Sequence, residues 1–231
     1  MNKQTMLRAM SLVMAAGIMS AAVSCSGKGG KDSVTPTDTV SVEEVSNAKN
    51  ARVYPDEEEF NNVSQHDLEF YLEDVKASVE NYYRAAVSDK QDFPELVIPL
   101  TEDCEAYMRQ RFAYDTRDNL GEAASTYLNG KYELADYSVV NNRLICNVHV
   151  EVHFRYKDAD FDSGMGEMLQ IVVENPSAPV IADWYNGSPE SFDSIVRGYG
   201  LDLKLQSNLL EKQDIKKLLK KGQKTLDDVA K

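Results

Sequence analysis

The sequence predicts an α+β fold: a long N-terminal helix packed on a curved antiparallel sheet of three to four strands, with a helical C-terminal tail. Three observations predict it. Leu68, Leu72, Val75, Val79, Tyr82 and Ala86 recur at spacings of 4, 3, 4, 3 and 4, the apolar stripe of an amphipathic helix. Leu144–Tyr156 alternates almost without fault, with Leu144, Cys146, Val148, Val150, Val152, Phe154 and Tyr156 on one face. That period of two marks a half-buried antiparallel strand. Two turn signals, Asn141-Asn142 and Asn175-Pro176-Ser177-Ala178-Pro179, divide the strand region into a meander.

Each element follows in order. Ser64-Gln65-His66-Asp67 fits a capping box before the first apolar position, so helix one starts at Ser64. Tyr71 and Tyr83 widen its stripe, and Pro94 and Pro99 mark its exit loop. A second helix starts near Thr101, with Cys104, Tyr107, Met108, Arg111 and Phe112 on neighbouring positions. Leu120–Leu128 reads as a third, short helix that Asn129-Gly130 stops. Tyr132–Val140 is a weakly alternating strand, Asn141-Asn142 its hairpin turn, and Leu144–Tyr156 the long strand. Lys157–Gly166 reads as a loop, Glu167–Glu174 as strand three and Val180–Tyr185 as strand four. Beyond residue 190 the helical pattern returns in Ser191–Tyr199 and in Ser207–Lys221, which Gly222 ends.

Composition narrows the class. The chain has 231 residues, 42% hydrophobic and 27% charged, enough for one ordinary globular domain with tails. Its formal net charge of −13 argues against a nucleic-acid partner, which needs a basic face. Lys3 and Arg8 precede an apolar run, Leu12–Ala22, too short for a confident membrane span. The run ends in Ala21-Ala22-Val23-Ser24-Cys25, which resembles the lipobox of bacterial lipoproteins. That resemblance implies a signal peptide over 1–24 and lipid attachment at Cys25, with the membrane as partner through the lipid. The alternative is a plain secretory signal with an incidental cysteine. Residues 25–63, rich in Ser, Thr, Pro, Asp and Glu without period, read as a flexible tether.

The order of elements over about 64–200 resembles the nuclear transport factor 2-like, or cystatin-like cone, superfamily. Val180-Ile181-Ala182-Asp183-Trp184-Tyr185 looks like its closing strand. More narrowly, the chain resembles bacterial lipoproteins with a cone domain of unknown function. The resemblance implies a sheet curled around the long helix, leaving a concave pocket. Some members are enzymes and many only bind, so the fold does not settle the function. Tyr82, Tyr83, Asp183 and Trp184 are the candidate pocket residues, and Asp183 is the best candidate for a catalytic acid.

Other candidates are weighed on their chemistry. His149, Glu151 and His153 share the polar face of the long strand, where the two histidines are too far apart for one metal. Asp158-Ala159-Asp160-Phe161-Asp162-Ser163-Gly164 spaces hard oxygen ligands as Ca²⁺ sites do, with Glu167 as a further ligand. A polar loop explains the same residues. Cys104 and Cys146 lie on apolar stripes and either form a disulfide or stay as buried thiols. From Lys204 to Lys224, seven lysines face Glu211 and Asp214, so residues 201–231 are a lysine-rich tail that docks on the domain or lies on an anionic surface.

The expectation is therefore a cell-envelope protein, lipid-anchored, with its domain periplasmic or surface-exposed. Its domain is expected to bind a small molecule or a protein without catalysis. A small pocket enzyme, hydrolase or isomerase in type, and a Ca²⁺-stabilised structural module are the alternatives.

Overall fold

Four strands in the order β1-β2-β3-β4, all neighbours antiparallel, form an open sheet with helices packed against it. The computed structural model describes residues 53–87, 92–116, 124–156 and 160–230. The elements are α1 (Gln65–Ala86), α2 (Glu102–Tyr114), β1 (Ala124–Val140), β2 (Arg143–Tyr156), β3 (Asp162–Glu174), β4 (Val180–Asn186), α3 (Phe192–Val196) and α4 (Ile215–Val229). They belong to one compact unit, Asn50–Lys231. Among the described residues no helix is long and apolar enough to cross a membrane. Cys25 and residues 1–24 lie outside them.

Local chemistry sets the element ends. The Ser64 hydroxyl accepts from the Asp67 amide at 3.1 Å and donates to the Asp67 carboxylate at 2.6 Å, capping α1. Asn141 and Asn142 take φ of 50° and 60°, the left-handed pair that a tight hairpin requires. Asn175 takes φ 57° at the next turn. β2 is buried on the Leu144, Cys146, Val148, Val150, Val152, Phe154 face, and that face packs on the main core with α1 and α2. Ile145 breaks the alternation. It is buried on the other face with Val172, Tyr185, Leu203 and Leu209 in a second, smaller core.

Five expectations need correction. The tether does not extend to residue 63: Phe60 and Val63 are buried, and Tyr54 stacks on Tyr71 at 5.1 Å. Isolated aromatics among charges carry no period, so their docking is invisible to a pattern search. Residues 124–128 are strand, not helix, because β2 needs a partner along its whole length; Tyr127 pairs with Phe154. Gly130 is no helix stop. It lies in β1 under Tyr127 and Tyr132, whose hydroxyls would stand 2.7 and 2.5 Å from a Cβ there. β3 begins at Asp162, so much of the expected loop is strand, with Gly164 opposite His153 and Gly166 opposite Glu151.

The last correction is at the C-terminus. Residues 206–212 form two 3-10 turns, and α4 begins only after Asp214, whose carboxylate accepts from the Lys217 amide at 3.1 Å. α4 runs through Gly222, which is buried against α2 and α3. A Cβ at Gly222 would lie 2.8 Å from the Phe192 ring and would collide with the Gln110 amide. The glycine serves close approach, not termination.

The C-terminal segment crosses from one face of the sheet to the other. Leu210 joins the main core and Leu209 the second one. The edge of β4 is covered at its start by residues 99–101: Ile181 N–H donates to Pro99 at 2.8 Å, and Thr101 N–H donates to Ile181 at 3.0 Å.

Candidate functional site

The interior carries two arginine–carboxylate centres, one at Asp183 on β4 and one around Arg111 on α2. Successive strand residues point to opposite faces, so Asp183 and Trp184 diverge. The structure therefore splits the expected pocket set. Trp184 packs on Tyr82 at 5.3 Å between ring centres, in the main core. Asp183 is instead locked with Arg197, by contacts of 2.6 and 2.9 Å, and both side chains are at most 1% exposed. The Leu210 amide donates to the same carboxylate at 2.8 Å, and Arg197 also donates to the Asn208 carbonyl at 3.0 Å. The Asp183 carboxylate accepts three hydrogen bonds inside the protein and lines neither of the grooves described below, so it is not the group a pocket acid requires.

The other centre surrounds Arg111, which α2 delivers from its apolar stripe, 1% exposed. Its Nη1 lies 3.1 Å from Asp193 and its Nε 3.4 Å from Asp115. Asp193 also accepts from the Tyr107 hydroxyl at 2.7 Å and from the Asn186 amide at 2.6 Å. Tyr82 donates to Asp115 at 2.7 Å, and Tyr83 donates to Glu167. The guanidinium lies 5.4 Å from the Tyr82 ring and 5.8 Å from Trp184. Neither Nη of Arg111 nor the Trp184 Nε1 has a well-aligned hydrogen-bond acceptor. Buried donors left so are rare in native interiors.

The electrostatics follow from one cation among several carboxylates. Burial works against the Arg111 charge, but Asp193 above all holds its pKa well above the ordinary value. Asp115 is lifted from 3.8 to about 7, first by burial; Arg111 and the Tyr82 hydroxyl pull it down, and Glu167 and Asp193 push it up. Burial, then the neighbouring carboxylates, raise Tyr82 and Tyr83 well above the usual phenol range. An acid poised near neutrality beside phenol donors can hold or pass a proton.

Glu167 links this network to solvent. It also lines a cleft of about 320 Å³ with Phe154, Tyr156, Met165, Glu190 and Ser191. A larger groove, about 600 Å³, runs along Phe93–Val97 and Arg109, but none of its lining residues belongs to the network.

The remaining candidates are placed as follows. Asp158 lies outside the described residues. Asp160 is exposed, Asp162 is paired with Arg155 at 2.7 Å, and Glu167 is turned inward to Tyr83. The structure does not bring these acids to one point, and among the described residues no group of three or more His, Cys, Asp or Glu is placed to hold a metal. Cys104 and Cys146 are both buried free thiols, the second of the two expected states. Burial pushes Cys146 up to about 12 and Cys104 well above its usual value, so neither thiol is ionised at neutral pH. His149 sits on the outer face, 3.9 Å from Glu151.

Arg111, Asp115, Asp193 and Arg197 were not singled out by motif. The signal available for Arg111 was its place on the apolar stripe of helix two, since a buried arginine demands a carboxylate. No family model matches the chain, and no curated protein or solved structure matches it.

Proposed function

We propose that the protein is a lipid-anchored cell-envelope protein whose cone-like domain binds a small ligand in the cleft at Glu167. One observation carries this reading: the guanidinium of Arg111 pairs with Asp115 and Asp193, and a third carboxylate, Glu167, raises the Asp115 pKa, accepts from Tyr83 and lines an aromatic cleft. Glu190 adds a fourth at the rim. A cationic headgroup on an apolar body suits such a lining, through carboxylate pairing and contact with Phe154, Tyr156 and Met165. The cone description adds that α1 lies across the concave face of a curled sheet. The residues around Cys25 support the anchor, through basic flank, apolar run and small residues in order.

Calorimetric titration with n-hexylamine tests the cleft. Binding is expected for the protein and is expected to weaken at least tenfold in Glu167→Gln and in Tyr156→Ala. Absence of heat, together with no copurified molecule by native mass spectrometry, would refute it. For the anchor, Cys25→Ala should leave the membrane fraction; retention there sinks lipid attachment.

A second reading rests on Asp115. A carboxyl poised near pH 7 beside Tyr82 is what a general acid or base requires. A pocket enzyme of this fold would work through Asp115 and not through Asp183. Turnover of any ester or enolisable ketone that is lost in Asp115→Asn would favour it.

A further inference from the structure

The surface of α4 is at odds with the rest of the molecule. The chain is net −13, yet Lys216, Lys217, Lys220, Lys221 and Lys224 fall within nine residues of one helix. At 3.6 residues per turn they occupy an arc of about 140° and span about 12 Å. All five are exposed. Among the described residues, Lys216, Lys217, Lys220 and Lys224 have no carboxylate within ion-pair distance, and Lys221 reaches only the Val196 carbonyl, at 3.0 Å. The pairs 216/220, 217/221 and 220/224 are like charges four apart, each of which weakens a helix by a few tenths of a kcal/mol. No acid interrupts residues 216–224; Asp227 and Asp228 come only after the last of these lysines.

Docking itself is already complete on the opposite side. Leu226 and Gly222 are buried, and Ile215, Leu218 and Leu219 pack on the main core. Gln110 on α2 donates to the Leu219 carbonyl at 3.2 Å. The apolar face is therefore not available to sink into a bilayer, and the outer face presents the five lysines, with Asp227 and Asp228 on the same arc about one turn beyond Lys224.

We propose that this lysine face binds anionic phospholipid headgroups and orients the domain on its membrane. Lysines are compact point charges without the forked geometry that a specific carboxylate partner selects. The lysine arc itself carries no aromatic or aliphatic anchor of the kind that gives a protein interface its affinity. A diffuse anionic plane needs neither. Asp227 and Asp228 offset part of the lysine charge at the end of the helix, and screening over about 8–10 Å weakens the repulsion from more distant acids. Each lysine near such a surface contributes about fivefold in binding. The inference does not depend on the cleft.

The test is cosedimentation of the full chain with vesicles of phosphatidylcholine alone and with about a third phosphatidylglycerol. The apolar N-terminal run attaches to both, and its basic flank, Lys3 and Arg8, adds an anionic preference of its own, so the contribution of the α4 lysines is read as the difference between the protein and a variant that lacks them. Tighter attachment to the anionic vesicles is expected, lost when salt is raised to several hundred millimolar. The triple variant Lys216→Glu, Lys220→Glu, Lys224→Glu should lower the anionic preference by at least 100-fold, with unchanged circular dichroism and unchanged n-hexylamine binding. Equal attachment to both vesicle types overturns the proposal and leaves the face to an acidic protein. A triple variant that keeps the preference overturns it too.

Discussion

The two buried arginine–carboxylate centres use the same chemistry to different ends. At Asp183–Arg197 the charges match one to one, and an amide from Leu210 completes the carboxylate. The contacts are short, and they tie three segments together: β4, the end of α3 and the 3-10 turns before α4. At Arg111 the contacts are 3.1 and 3.4 Å, negative charge is in excess, and one carboxyl is left near pH 7. The first centre is balanced in charge and works as a clasp, with only the Arg197 Nε left without an acceptor. The second is incomplete and borders the cleft through Glu167. The difference between the centres lies in their charge balance, one to one at Arg197 and in carboxylate excess at Arg111.

The largest expected effect breaks the clasp. Asp183→Ala leaves the Arg197 guanidinium charged in a site that is 0% exposed. It should lower the unfolding free energy by about 3–5 kcal/mol, because the remaining charge loses its partner without regaining water. Urea denaturation measures this. The double variant Asp183→Leu, Arg197→Met should recover most of the loss, since removing both charges removes the penalty. A double variant as unstable as the single one would show that the Leu210 amide and Asn208 carbonyl contacts, not charge balance, hold the C-terminal segment.

A smaller effect sharpens the contrast at the other centre. Asp115 binds a proton more tightly when folded, with its pKa at about 7 against 3.8. Between those values the folded state holds more protons than the unfolded chain, so stability rises as pH falls through that window. From pH 7 to pH 5.5 the gain should be on the order of 2 kcal/mol. Asp115→Asn should flatten this slope and leave the protein more stable at pH 8. A wild-type curve already flat over that range would place Asp115 among ordinary carboxylates.

The sequence exposes these features unevenly. β2 was legible because one face meets the core and the other meets water, and only that contrast writes a period of two. Ile145 was not, because its cover comes from Leu203 and Leu209, far along the chain. Arg111 was visible on its stripe, but Asp193 is 82 residues away and on another helix, so no spacing rule links them. Placing Asp183 and Trp184 in one pocket overlooked a rule the sequence does carry, that adjacent residues of a strand point to opposite faces. Gly222 shows the limit of punctuation rules, since a glycine that ends a helix and one that admits a neighbour look alike until the neighbour, Phe192, is placed.

The smallest effect compares the centres through one atom each. Tyr107 donates to Asp193 at 2.7 Å, and Tyr82 donates to Asp115 at the same distance. Tyr82→Phe and Tyr107→Phe remove the same hydroxyl from two buried carboxylates, of which Asp115 carries the raised pKa. Above pH 7 Asp115 is ionised, and losing a donor to an anion should cost about 1.5 kcal/mol or more. Below pH 6 Asp115 is protonated, and the cost of Tyr82→Phe should fall to about 0.5 kcal/mol. The Tyr82 hydroxyl lowers the Asp115 pKa, so its loss also moves the stability slope to higher pH. Asp193 keeps Arg111 and the Asn186 amide after Tyr107→Phe. That variant should therefore cost the same at pH 8 as at pH 5.5. If both variants respond alike to pH, the two carboxylates share their proton, and the incomplete centre extends from Asp115 through Arg111 to Asp193.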